Sequence, residues 1–206
     1  PSDQSGIGLL SDEDGWNVGE PSATGDFFLP GTKEERWILA YKKDGSTYEH
    51  QIADRNNGAM GSWLEEPRVV DASDLANGKL KAIVTGITNQ NVKIVITYSF
   101  DVNDLFYTTD VEIINIGTSA IENVRFIRSF DPDQDADMHG EYETYNKVIC
   151  NPVSDRPGGT DNYALVVARG GETLSGYFFL AFDNRARASW DEPLSPGSAY
   201  SSFLWD

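Results

Sequence analysis

Val92-Lys93-Ile94-Val95-Ile96-Thr97-Tyr98-Ser99-Phe100 decides the fold class. Val92, Ile94, Ile96, Tyr98 and Phe100 recur at every second position, and a β-strand sends alternate side chains to opposite faces. The turn Asp101-Val102-Asn103-Asp104 follows, then a second run through Tyr107, Thr109, Val111 and Ile113. Asn115-Ile116-Gly117-Thr118-Ser119 reads as another turn, and Val124–Phe130 as a third strand. Short strands at roughly 8–12-residue spacing are the pattern of an antiparallel sandwich or barrel.

The same reading predicts further strands at Arg36–Lys42, Ser46–Ile52, Leu80–Thr85, Ala164–Arg169 and Thr173–Phe182. Asn77-Gly78 and Gly170-Gly171 are hairpin-type turn signals. Only Ser73–Ala76 suggests a helical turn. Residues 1–35 are rich in Gly and Asp and poor in apolar runs, which predicts an irregular wrap around the sheets. The expectation is all-β: one antiparallel β-sandwich ligand-binding domain over residues 1–206 with long calcium-stabilised loops.

Charge narrows the function. The chain has 206 residues, 16 Lys+Arg, 33 Asp+Glu and a formal net charge of −17. At 39% apolar residues it has the material for a core, so the acidity does not mark a disordered tail. Nucleic acid and anionic membrane surfaces are disfavoured, because both call for a basic footprint. Asp outnumbers Glu, 20 to 13, and there are 13 Asn. These residues suit turns more than helices, and they are common oxygen donors of calcium loops.

Cys150 is the single cysteine, which excludes an intrachain disulfide. Lys147-Val148-Ile149 before it reads as the end of a strand, so a small buried thiol is expected. A nucleophilic role would need a base, and the two histidines are His50 and His139. No apolar run approaches the length of a membrane span or a secretory leader. Pro1-Ser2-Asp3-Gln4-Ser5-Gly6 resembles linker sequence, which suits a domain cut from a larger bacterial protein.

The chemistry concentrates in Asp131–Glu143, DPDQDADMHGEYE, where six of thirteen residues are acidic and none is Lys or Arg. Asp131, Asp133, Asp135 and Asp137 alternate directly after a predicted strand; extended backbone would put all four on one face, where they repel. A divalent cation neutralises such a group. The carboxylates and the Gln134 amide are hard oxygen donors suited to Ca²⁺, whereas zinc would want Cys or His and finds only His139 nearby. The run is not an EF-hand, since its sixth position is Ala136 and its twelfth Tyr142. A solvated acidic loop is the competing reading. The turns at Ser11–Gly15, Asp101–Asp104 and Phe182–Asn184 read more simply as solvated. Trp16, Trp37, Trp63, Trp190 and Trp205 are expected mostly in the core or covering its edges, with one or two free to line a pocket.

Ser129-Phe130-Asp131-Pro132-Asp133-Gln134-Asp135, preceded by Ile113-Ile114-Asn115 and Asn123-Val124-Arg125-Phe126, resembles the peptide-binding domain near the tip of very large RTX-type bacterial adhesins. The most specific part is Phe130–Asp135, and the length and acidity fit over nearly the whole chain. The resemblance implies a calcium-stabilised β-sandwich, extracellular at the cell surface, in the distal part of a secreted adhesin. It implies capture of free peptide C-termini on host or neighbouring cells for adhesion and biofilm attachment, with calcium helping to hold the ligand carboxylate. It assigns metal-site roles to Asp131, Asp133, Gln134 and Asp135. Asp137 joins them on spacing alone, and Tyr142 and Tyr145 are expected pocket aromatics from their place beyond the acidic run. The expected state is a non-catalytic, monomeric domain with no nucleic-acid or membrane-inserted role.

A calcium-dependent carbohydrate-binding module and a mutarotase-like carbohydrate-active enzyme domain stay open as alternatives. Against the enzyme, four crowded Asp make a poor tuned acid–base pair, and no G-x-S-x-G elbow is present. A rigid spacer domain is a third possibility. The tail Phe203-Leu204-Trp205-Asp206 also resembles a ligand of such a site and could dock in a neighbouring molecule.

Overall fold

The computed structural model describes residues 36–52, 64–104, 106–129, 140, 141, 143–152, 162–171, 176–190 and 200. They form ten strands: β1 Arg36–Lys43, β2 Ser46–Ile52, β3 Leu64–Asp71, β4 Lys79–Thr88, β5 Val92–Asp101, β6 Thr108–Asn115, β7 Ile121–Ser129, β8 Thr144–Cys150, β9 Ala164–Gly170 and β10 Gly176–Ala181. One 3-10 turn, Leu75–Asn77, is the sole helical element among the described residues. The fold is all-β. Three sheets have the orders β2-β1-β7, β10-β9-β8 and β3-β4-β5-β6. In the last two, every neighbouring pair is antiparallel. The described residues belong to two compact units, one of Leu39–Arg125 and the other of residues 36–38 with everything from Phe126 onward.

In the Leu39–Arg125 unit, the opening alternation becomes β5, held between β4 and β6. Val92, Ile94 and Ile96 are fully buried, while Lys93, Val95 and Thr97 on the other face are half-buried. Each buried aliphatic contributes roughly 1.5–3 kcal/mol of transfer free energy. Ile94 lies between Gly86 of β4 and Ile113 of β6. β1 follows a different rule: Trp37 to Tyr41 are five consecutive residues no more than 2% exposed. A strand covered on both faces reads as a continuous apolar run instead of an alternation.

The connections follow their local chemistry. Asp44 and Gly45, between β1 and β2, both have positive φ, as a two-residue type I′ hairpin turn requires. The turn after β5 closes by the Asp104 N–H donating to the Asp101 carbonyl at 2.8 Å. After β6, the Asn115 side chain accepts from the Gly117 N–H at 3.0 Å and donates to the Ser119 carbonyl at 2.8 Å. The expected helical turn at 73–76 lies at Leu75–Asn77. It ends on Gly78 at φ 65°, where a β-carbon would also stand 3.2 Å from Val102 Cγ2.

Two strands escaped the sequence reading wholly or in part. β3 contains Glu65, Glu66 and Pro67, and its register with β4 shifts between Glu65 and Arg68. Proline lacks the ladder N–H, so it is confined to outer strands and bulges; β3 is the outer strand of its sheet and Pro67 falls in the irregularity. β8 was visible only at its end, because Asn146 and Lys147 interrupt its apolar pattern. The predicted wrap of residues 1–35 lies outside the described residues.

Candidate functional site

β7 ends at Ser129 and β8 begins at Thr144, so the acidic run is the connection that leaves the β2-β1-β7 sheet and enters the β10-β9-β8 sheet. Asp131, Asp133, Gln134, Asp135 and Asp137, together with His139 and Tyr142, lie outside the described residues. The strand ends that carry the run are described, and both belong to the unit that begins at Phe126.

On the β7 side stands Arg128. Its guanidinium lies 5.6 Å from the centre of the Phe179 ring on β10, and Tyr177 meets Phe179 edge-on at 5.2 Å. Removal from water pushes the Arg128 pKa down to about 10, partly opposed by Tyr177, and the group keeps its charge at neutral pH. A full positive charge is therefore built in one residue before the close of β7.

On the β8 side, Tyr145 is the one expected pocket aromatic that is described, and its side chain is 58% exposed. The antiparallel register sets Tyr145 opposite Arg169 of β9, so both project from one face, with the guanidinium 5.6 Å from the ring centre. Such a contact contributes about 0.5–1 kcal/mol at an exposed site. Its larger consequence is orientation, since the ring supports a planar fork of donors beside the exit of the acidic run.

The same face continues across the sheet. Lys147 is opposite Val167, which is opposite Phe178; Leu165 is opposite Leu180. Phe178, Leu180 and Phe182 are exposed, and Phe182 tilts against Tyr163 with ring centres 6.2 Å apart. Below this face the chain is pinned by Asn151, whose side chain accepts from the Ala188 N–H at 2.6 Å and donates to its carbonyl at 3.1 Å.

The other acidic turns that are described engage protein groups. Asp183 accepts from Arg185 Nε at 3.0 Å, Nη2 at 2.6 Å and the Arg185 N–H at 2.8 Å, and these bonds hold its pKa down to about 2. Asp101 pairs with Lys79 at 3.5 Å. Among the described residues no cluster of three or more His, Cys, Asp or Glu could hold a metal ion. Cys150 is half-buried, not fully enclosed as expected, with its thiol 3.8 Å from the Tyr163 carbonyl. Of the tryptophans, Trp37 is core and Trp190 is exposed; Trp16, Trp63 and Trp205, with the rest of the 203–206 tail, lie outside the described residues.

Arg169 is the site residue that the sequence reading missed; Arg128, buried against Phe179, lies on the opposite face of the β10-β9-β8 sheet. Arg169 acquires its meaning only from the strand register that brings Tyr145 opposite it, and no local motif announces that pairing. Compared with known proteins, the chain matches no family model, no curated protein and no solved structure. Among the described residues no helix is long and apolar enough to cross a membrane.

Proposed function

We propose that this chain is a calcium-dependent adhesin domain, built as a β-sandwich, that captures short peptides by their free C-termini. The observation that carries the reading is the run of four alternating Asp, without a Lys or Arg among them, in the connection between β7 and β8. Asp131, Asp133, Gln134, Asp135 and Asp137 would hold the ion, and their oxygen donors match its hard-ligand chemistry. Bound calcium supplies a positive charge to which a peptide carboxylate is attracted. Arg169, held over Tyr145, offers that carboxylate or an acidic residue near it a second partner, and Tyr142 with Tyr145 contributes aromatic contact area. No proton transfer or bond cleavage is needed, and the domain is read as non-catalytic.

The setting that follows is extracellular, at the distal part of a cell-surface adhesin, as a monomeric domain. Isothermal titration of the intact chain against C-terminal peptides, their amidated counterparts and a sugar panel tests the reading. The expected result is saturable binding of free-acid peptides in calcium, loss with excess chelator, and loss on amidation. Peptide binding unchanged in chelator would sink the proposal, and sugar binding in its place would support a calcium lectin.

A further inference from the structure

The most enclosed polar group in the Leu39–Arg125 unit is a relay of hydrogen bonds from three strands. Thr88, the last residue of β4, is fully buried. Its Oγ1 accepts the N–H of Gln90 at 3.3 Å and of Val92 at 3.2 Å, so both its lone pairs are engaged by the β4–β5 turn. The Thr88 hydroxyl hydrogen is therefore the one given to Tyr41 Oη of β1, 3.0 Å away. Tyr41 Oη, having accepted, gives its own hydrogen to His50 Nε2 of β2, also at 3.0 Å. The donor order runs Thr88 to Tyr41 to His50, and it assigns the imidazole hydrogen to Nδ1.

We propose that His50 is an acid-sensitive key to the β4–β5 turn, because a proton on its acceptor nitrogen reverses the last donor of the relay and loosens the turn. An imidazolium can only donate. Tyr41 Oη would then receive from both Thr88 and His50, and its own hydrogen would lose the acceptor it has in the relay. The alternative is for the Thr88 hydroxyl to rotate and accept from Tyr41, which turns a lone pair away from the backbone N–H groups it now satisfies. Either adjustment gives up a hydrogen bond that the relay now makes.

Burial works against an imidazolium at this place. His50 is 7% exposed, with its ring 5.5 Å from that of Tyr41, and Tyr48 stacks on Tyr41 at 5.7 Å. Glu49, next in sequence, favours the charged form, but desolvation outweighs it and holds the His50 pKa below the ordinary 6.5. Burial in turn raises the Tyr41 pKa, so the phenol stays protonated and available as the donor. The cation on this side is Lys43 of β1, which gives a 2.6 Å bond to the Gln90 carbonyl of the same turn and is no acceptor for an imidazolium. The turn is thus tied by a charged bond that acid leaves intact and by a neutral relay that acid breaks. Because the folded pKa is depressed, the stabilisation is fully present above pH 6.5 and is lost as the pH falls from there toward the folded value.

Amide hydrogen exchange on the intact chain reads the effect where it arises. Corrected for intrinsic rates, protection at Gln90 and Val92 should fall by up to about tenfold between pH 7.5 and 5.5, since openings that free His50 gain one proton. The fall should be the same in calcium and in excess chelator, and it should persist in His139→Gln. It should vanish in His50→Gln, whose amide oxygen accepts from Tyr41 without titrating. Imidazole nitrogen shifts in the wild-type protein give a readout that no substitution can disturb: Nε2 unprotonated at pH 7.5. Flat protection over this range, an equal fall in His50→Gln, a fall confined to one calcium condition, or a proton on Nε2 at pH 7.5 would each overturn the inference.

Discussion

The centre of the Leu39–Arg125 unit and the outer face of the β8–β9–β10 sheet are built from different side chains. In the first, four polar side chains are enclosed and matched: Thr88, Tyr41, His50 and Lys43 are buried and joined by hydrogen bonds to the β4–β5 turn or to one another. In the second, one face of three paired strands leaves Tyr145, Phe178 and Leu180 exposed, with Arg169 and Lys147 among them. An all-apolar core could repack, whereas a buried relay is satisfied in one arrangement, so the first region specifies a structure. An exposed aromatic–cationic face spends little on stability and is free to meet a partner. The contrast separates what holds the domain together from what it presents.

The largest effect should come from breaking the first region at its centre. Ile94→Ala removes a fully buried side chain from the middle strand of a four-stranded sheet. Its neighbours Gly86 and Ile113 leave little to fill the gap, and the expected loss is about 2–5 kcal/mol in urea unfolding. Phe178→Ala on the exposed face of β10 should cost about 1 kcal/mol or less. Equal losses at the two positions would erase the distinction between the regions.

How much of this was legible in the sequence varies with the kind of signal. β5 was plain because Val92, Ile94 and Ile96 alternate with less buried neighbours, so one period-2 pattern carries both strand and burial. β1 was found as a strand, but the burial of both its faces depends on what packs against it. β3 was concealed because Pro67 and two glutamates suit an outer, irregular strand and spoil the apolar pattern. The acidic run stood out in the sequence by its composition and by the alternate spacing of Asp131, Asp133, Asp135 and Asp137. Arg169 did not, because it meets Tyr145 only through strand pairing, 24 positions away along the numbering. The Tyr41–Thr88 bond spans 47 positions and follows from two separate hairpins meeting.

A smaller effect should distinguish presentation from support. Arg169→Ala removes the guanidinium over Tyr145 and little packing, so stability should fall by about 0.5–1 kcal/mol. Binding of an acidic free-acid peptide should weaken by about tenfold, as expected for one lost charge-assisted pair. Arg169→Lys should restore the stability more fully than the binding, because an ammonium lacks the planar fork. Titration calorimetry beside urea unfolding would show it, and loss of stability without loss of binding would make the stacked pair a structural brace.

The smallest effect separates the two regions by acidity. His50 and Asp183 both have folded pKa values below their ordinary ones, so both favour folding less as the pH falls, but through different windows. The buried His50 relay weakens below pH 6.5, whereas the Asp183 carboxylate, held to about 2 by Arg185, keeps its bonds until the pH falls from about 4 toward 2. Asp183 and Arg185 are solvent-accessible at 41% and 86% of their side chains, so screening discounts most of that shift. Asp183→Asn should therefore change stability at pH 7 by about 0.5 kcal/mol or less, an amount that added salt reduces further. Carboxyl carbon shifts followed from pH 6 to 1.5 should show Asp183 titrating at about 2. An ordinary titration near pH 4 would mean that Arg185 does not hold the carboxylate in solution, and the turn after β10 would then rest on its backbone bond from the Ala186 N–H to the Asp183 carbonyl.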